Sequence, residues 1–328
     1  MRRLGKQIFF VSVLMSLSFG ANGQDSPSHP TRSLIVSVFD RDGKVLRDLT
    51  KDNFRVQVSG KASEVVSASY TIAPRRIVVL LDMSGSMAGV PITNKKWQIA
   101  RQALQDVLEQ TPSTSEIAVV TFADKVHDVF DFSKGRPFLR HWAAQEPTMQ
   151  SHVKGETALL DAVMVATQIL QPSRAGDTIY AITDGGDNVS HASPGDVKKV
   201  LMRSGVRLYV FLFAEYVPRG AIWFSPAEFM EIARDSGGYI YGVPSRGEAP
   251  GTRYAPIQRF TYDLDQKGSE AIKAITQSLC AQIGGFYSLQ IIDPELKKDG
   301  KLKMEVKANS GEPMKDVNSA YPSVLSRN

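Results

Sequence analysis

Two patterns of hydrophobic spacing divide the chain. In the first, short β-type runs at 33–39 (SLIVSVF), 54–58 (FRVQV) and 63–71 are separated by turn sequences. Asp40-Arg41-Asp42-Gly43 is one such turn, and Leu49-Thr50-Lys51-Asp52-Asn53-Phe54 reads as a short capped turn. These runs predict a small antiparallel sheet. From Arg75 the pattern changes: residues 77–81 (IVVLL) are almost continuously apolar, as a parallel strand covered on both faces must be. Residues 96–110 then place Ile99, Ala103, Val107 and Leu108 on one helical face. A buried strand follows at 117–122, an alternating edge strand at 126–132, a helix at 157–170 and a strand at 178–183 (TIYAIT). Residues 196–203 form a helix capped by Ser193 with Pro194 at its first position. A strand at 208–213 (LYVFLF), a helix at 226–235 ending at Gly237-Gly238 and a last strand at 239–243 complete the series. This alternation predicts an α/β fold with a doubly wound, mainly parallel sheet, and ligands at the carboxyl ends of its strands. Beyond it, 244–268 lacks periodicity, 269–284 is a helix with Ala271, Ile275 and Leu279 at helical spacing, and 285–328 returns to strand character around Lys298-Asp299-Gly300. These last strands could complete the small sheet begun by 33–72, with the α/β unit of 73–243 inserted between.

The first residues obey neither pattern. Arg2, Arg3 and Lys6 precede an apolar run from Ile8 to Phe19 and the small residues Ala21-Asn22-Gly23. That is the layout of a secretory signal peptide over 1–23, followed by a polar linker over 24–32; an uncleaved N-terminal anchor is the other reading. As a spanning helix the run is short, since a bilayer core takes about 20 apolar residues. A secreted or periplasmic protein without a transmembrane segment in its mature chain is expected. The formal charge of +5 changes meaning accordingly, because 1–23 carries three of the positive charges and no negative one, leaving +2. So small a surplus excludes nucleic acid as an expected partner. The lone cysteine, Cys280, excludes disulfide frameworks and thiolate metal clusters; it reads as buried core, with a reactive thiol as the alternative.

Candidate chemistry gathers in three loops. Asp82, Ser84 and Ser86 leave the end of the strand at 77–81 at alternate positions; Thr157 stands before a helix, and Asp184 follows the strand at 178–183. Together they offer five oxygen side chains, a donor set suited to hard divalent cations. The bland alternative is that Ser, Asp and Gly only shape turns here.

The ordered set D-x-S-x-S, Thr before a central helix and Asp in T-D-G resembles the von Willebrand factor A (VWA) domain and its metal-ion-dependent adhesion site (MIDAS). The resemblance covers about 75–243 and implies a Rossmann-like fold. It also implies that Ser84, Ser86 and Thr157 are hydroxyl ligands to Mg2+ or Mn2+, with Asp82 and Asp184 acting largely through bridging waters. A cation with few directly bound carboxylates keeps positive charge, which an acidic side chain of a protein partner can complete. The segment SLIVSVFDRDGKVLRDLTKDNFRVQVSGK is similar to the N-terminal part of secreted bacterial, notably acidobacterial, "VWFA-related" proteins.

Other motifs add little. Ser84 lacks the glycine of a nucleophile elbow, and His127, His141, His152 and His191 have no spacing that ties them to a triad, although His152 and His191 are candidates for ligand contact. Phosphate-binding glycine motifs are missing. Asp187 and Asn188 read as solvated loop residues, with hydrogen bonding to the loop or a bias of the site's charge as the alternative; Val217, Trp223 and Phe224 read as a loop that docks or binds a partner, and Lys297, Lys298, Lys301, Lys303 and Lys307 as a solvated strand face. The expected function is cation-dependent protein recognition without turnover. The alternatives are a structural or assembly module whose metal only stabilises loops and, less favoured, a metal-dependent hydrolase.

Overall fold

The computed structural model describes residues 30–73, 75–88, 95–145, 153–214, 226–244, 266–293, 296 and 298–326. The signal peptide at 1–23, His152, Lys297 and the aromatic loop with Val217, Trp223 and Phe224 lie outside the described residues.

The chain enters strand β1 (Thr31–Asp40), so the linker expected over 24–32 ends sooner than the composition implied. Strands β2 (Phe54–Val58), β3 (Lys61–Ser63) and β4 (Val65–Ile72) follow. The α/β unit opens with β5 (Arg76–Asp82), a short helical turn α1 (Gly85–Ala88) and helix α2 (Lys95–Gln110). It continues through β6 (Glu116–Phe122), β7 (Val126–Phe130), α3 (Gly135–Ala144) and α4 (Leu159–Ile169). Then come β8 (Thr178–Thr183), α5 (Pro194–Ser204), β9 (Arg207–Ala214), α6 (Pro226–Asp235) and β10 (Ile240–Pro244). Helix α7 (Gln266–Gly284) leads to β11 (Gly285–Ile292), β12 (Gly300–Val306), β13 (Val317–Ala320) and β14 (Val324–Leu325). Helix α7 begins inside the stretch expected to be irregular over 244–268, and α3 was not expected from the sequence.

The central sheet has six strands in the order β10-β9-β8-β5-β6-β7, parallel except for the antiparallel edge pair β6–β7. Because side chains alternate across a strand, the continuous apolar run of β5 feeds two cores at once. Ile77, Val79 and Leu81 pack with Trp97, Leu104 and Leu108 of α2, Leu139 of α3 and Ile272, Ile275 and Leu279 of α7. Val78 and Leu80 face Leu159 and Val163 of α4, Val197 and Leu201 of α5 and Phe229 and Ile232 of α6. Each such fully buried side chain stabilises the fold by about 1.5–3 kcal/mol. Ser193 caps α5 by accepting the Asp196 N–H at 3.2 Å, as its position before Pro194 predicts.

The flanking strands form a sandwich of two four-stranded antiparallel sheets, ordered β13-β1-β11-β4 and β14-β12-β2-β3, where the spacing alone suggested one small sheet. Strand β1 pairs with β11 and β2 with β12, so both ends of the chain build it. Leu34, Val36 and Val38 meet Phe54, Val56, Leu302 and Met304 between the sheets, while Lys301, Lys303 and Glu305 line the solvated face of β12.

Candidate functional site

Strands β5 and β8 run side by side in parallel, and their carboxyl ends bring Asp82 and the Thr183-Asp184 pair to one edge. From β5 the chain first builds outward through β6 on one side, then returns to place β8 on the other. The edge between β5 and β8 is therefore where the winding of the sheet reverses, the position at which open α/β sheets leave a crevice.

Asp82 is fully buried there. Its Oδ1 accepts the backbone N–H of Ser84 at 2.8 Å, and its Oδ2 accepts the Thr183 hydroxyl at 2.6 Å. With both oxygens engaged inside the fold, the carboxyl group fixes the turn that presents Ser84. The Ser84 hydroxyl is also buried and lies 3.0 Å from that of Ser86. The Gly85 N–H donates to the Gly155 carbonyl at 2.9 Å, and the Lys154 N–H to the Met83 carbonyl at 2.9 Å, so the loop before α4 is stitched against this turn. A Cβ on residue 85 would stand 3.2 Å from that carbonyl, and Gly155 has φ of +93°, so glycine answers a close approach at one position and a left-handed backbone at the other.

Thr157 follows, buried, with its N–H donating to Asn188 Oδ1 at 2.7 Å and its carbonyl accepting the Asn188 N–H at 3.0 Å. The next residue, Ala158, is the N-cap of α4 and has no side-chain oxygen to offer the helix. Asp187 substitutes for it: Oδ2 accepts the Leu160 N–H at 2.8 Å and the Ser190 hydroxyl at 2.6 Å, and Oδ1 accepts the Ser190 N–H at 3.1 Å. Asp187 and Asn188 therefore take the hydrogen-bonding alternative and are not the solvated loop residues the sequence favoured. They tie the loop after β8 to the start of α4 and to Thr157. The signal that could have revealed them is a helix start without a local cap, whose orphan N–H groups need an acceptor from elsewhere.

Asp184 lies beside Asp82 and is largely buried. Burial, and then the charge of Asp184, push the Asp82 carboxyl up to about 7, against the pull of hydrogen bonds from Ser84 and Thr183. One more residue belongs to this edge and was not read from the sequence: Lys96, near the start of α2. Its side chain is 5% exposed, and Nζ donates to Asp184 Oδ2 at 3.2 Å and to the Ser86 carbonyl at 3.1 Å.

The donor set fits the hard divalent cation that the motif implies. Ligands at about 2.0–2.1 Å around an octahedral Mg2+ stand roughly 3 Å apart, and the Ser84 and Ser86 hydroxyls have that separation. Among the described residues no group of three or more His, Cys, Asp and Glu side chains could hold a metal, so hydroxyls must carry much of any coordination at this edge. The described histidines are engaged elsewhere: His191 is 98% exposed with Nδ1 3.1 Å from Asp161 Oδ2, His127 meets Asp124, and His141 meets Gln145.

Residues 77–186 match the family model described as von Willebrand factor type A domain, a span that runs from the start of β5 past Asp184 and contains all five predicted oxygen donors. No curated protein matches the chain. Among solved structures, similarity extends to a von Willebrand factor type A protein from Catenulispora acidiphila, at 11% identity and TM-score 0.45, covering 92% of this chain and 74% of that one. An aerotolerance-related membrane protein from Bacteroides fragilis aligns at 16% identity and TM-score 0.39 over 63% of this chain and 99% of that one. The conserved hypothetical protein BatB from Bacteroides thetaiotaomicron aligns at 18% identity and TM-score 0.40 over the same shares.

Proposed function

From the premise that this chain contains a von Willebrand factor type A domain, we propose that the domain binds Mg2+ or Mn2+ at the β5–β8 edge and, through it, an acidic side chain of a protein partner. Domains of this type are generally interaction modules. The observation that carries the proposal is the pair of hydroxyls, Ser84 and Ser86, held 3.0 Å apart above a carboxyl group whose own oxygens are both occupied. Ser84, Ser86 and Thr157 would be the hydroxyl ligands, with Asp82 and Asp184 holding water around the ion. The cation supplies Lewis acidity that its few anionic neighbours leave uncompensated, so a carboxylate from outside completes it. In keeping with domains of this type, we read the edge as one for recognition without turnover.

Among the described residues no helix is long and apolar enough to cross a membrane. The basic and apolar opening of the sequence supports export of the mature chain to the periplasm or medium. Calorimetric titration of the full chain with Mg2+ and Mn2+ tests the site, with Asp82→Ala and Ser84→Ala as controls. Saturable binding by the wild type and its loss in both variants are expected; a wild type that takes up neither ion would end the proposal. Metal-dependent capture of an EDTA-releasable protein from envelope or medium then tests the partner.

A further inference from the structure

Lys96 occupies a position for which the proposed metal site provides no use. An ammonium group that is almost wholly buried is costly unless charge and hydrogen bonds compensate it. Here Nζ reaches Asp184 Oδ2 at 3.2 Å and the Ser86 carbonyl at 3.1 Å. It therefore engages the carboxylate of one candidate donor and the backbone of another. Both residues belong to the edge that the cation would use. The counter-charge that Asp184 needs beside the buried Asp82 is thus already present within the chain.

We propose that Lys96 is an intrinsic rival of the metal: it neutralises Asp184 when no cation is present and weakens divalent-cation affinity at this edge. This rests on the reading of the edge as a cation site and adds how that site is regulated. Two effects act in the same direction. The oxygen that accepts the Lys96 ammonium has one lone pair fewer for water around a cation, and a positive charge left in a poorly solvated crevice repels another. A metal must therefore either displace the ammonium or bear its repulsion. The same residue would let the apo edge remain folded, since two neighbouring buried carboxyl groups without a cation repel each other. Occupancy would then follow the ambient concentration of divalent ions, and the edge would engage acidic partners only where such ions are plentiful.

The test is calorimetry of Mg2+ binding to the full chain as wild type, Lys96→Met, Lys96→Gln and Lys96→Arg, each checked for folding by circular dichroism. Lys96→Gln keeps a donor for the Ser86 carbonyl and so guards against failure of the apolar variant to fold. The Met and Gln variants should bind Mg2+ about tenfold or more tightly than wild type, while Lys96→Arg, which keeps the charge, should not. Their metal-free melting temperatures should fall below those of wild type and Lys96→Arg and recover most on adding Mg2+. Equal Mg2+ affinity in all four proteins overturns the rivalry and leaves the cation site standing. Absence of binding in all four removes the cation site itself.

Discussion

Asp187→Ala removes an acceptor that serves two elements at once. In the wild type, Oδ2 takes the buried Leu160 N–H at 2.8 Å and the Ser190 hydroxyl at 2.6 Å, while Oδ1 takes the Ser190 N–H at 3.1 Å. The Ser190 hydroxyl oxygen in turn accepts the Asp161 N–H at 3.0 Å, so one carboxylate organises the first turn of α4 directly and through its neighbour. Loss of a helix cap costs about 0.5–2 kcal/mol, and hydrogen bonds to a charged group contribute about 1.5–3 kcal/mol each. These values overlap, since the cap is one of the bonds, and Ala158 cannot replace it. A net loss of about 2–3 kcal/mol is expected. For a unit of this size that lowers the melting temperature by roughly 4–12 °C. Guanidinium unfolding of the full chain, followed by far-ultraviolet circular dichroism, measures it. Asp187→Asn keeps a single acceptor oxygen and should lose about half as much. A loss below about 0.5 kcal/mol in Asp187→Ala would refute the assignment of Asp187 as the cap of α4.

Two further outcomes follow from buried charge. Arg76 forks onto Asp177, with Nε 3.1 Å from Oδ1 and Nη2 on Oδ2, and Nη2 also donates to the carbonyls of Leu170 and Pro172 at 2.8 Å. Asp177→Ala leaves that guanidinium buried without its counter-charge and should destabilise by about 3–5 kcal/mol in the same unfolding assay; a change under about 1 kcal/mol would show the pair to be dispensable. Burial, and then Asp106, push the Cys280 thiol from 9.0 to about 12. The native state keeps this proton where the unfolded chain loses it, so the contribution is complete below pH 9.0 and disappears as pH rises toward about 12. Unfolding free energy should therefore fall less between pH 8 and about 10.5 in Cys280→Ala than in wild type, and an identical fall in both would contradict the shift.

The readable part of this molecule is the part that repeats. Continuous apolar runs such as 77–81 and 208–213 declare parallel strands because both faces must be covered, and Ser193-Pro194 declares a helix start because the cap is local. Where Asp82, Ser84, Ser86, Thr157 and Asp184 fall in the fold was legible for the same reason, as each sits at a strand end or helix start that periodicity locates. What was not legible is partnership across distance in the sequence. Asp187 looks like any loop aspartate until α4 lacks a cap, 27 residues before it. Lys96 looks like an ordinary lysine near a helix start, and only the fold brings it to Asp184, 88 residues later. The second sheet of the sandwich was hidden likewise, since strand pairing between β2 and β12 leaves no trace in either segment alone.

The sandwich and the candidate site use opposite ends of the central sheet. Arg207, at the start of β9, donates from Nη1 to the Ser37 hydroxyl of β1 at 3.1 Å. Arg75, just before β5, donates from Nε to the Ile283 carbonyl at 3.3 Å, and the guanidinium groups of Arg75 and Arg207 lie 4.3 and 5.1 Å from the Phe286 ring centroid. This junction gathers at the amino ends of the strands, whereas Asp82, Thr183 and Asp184 stand at their carboxyl ends. A seven-residue strand such as β5 separates the two by roughly 20 Å. The joint at one end and the candidate site at the other are therefore physically separable. Truncating Phe286 should loosen the joint between the units through lost aromatic and cation–π contact. It should leave the Ser84–Ser86 geometry intact, because that geometry depends on Asp82, Gly155 and the loop after β8.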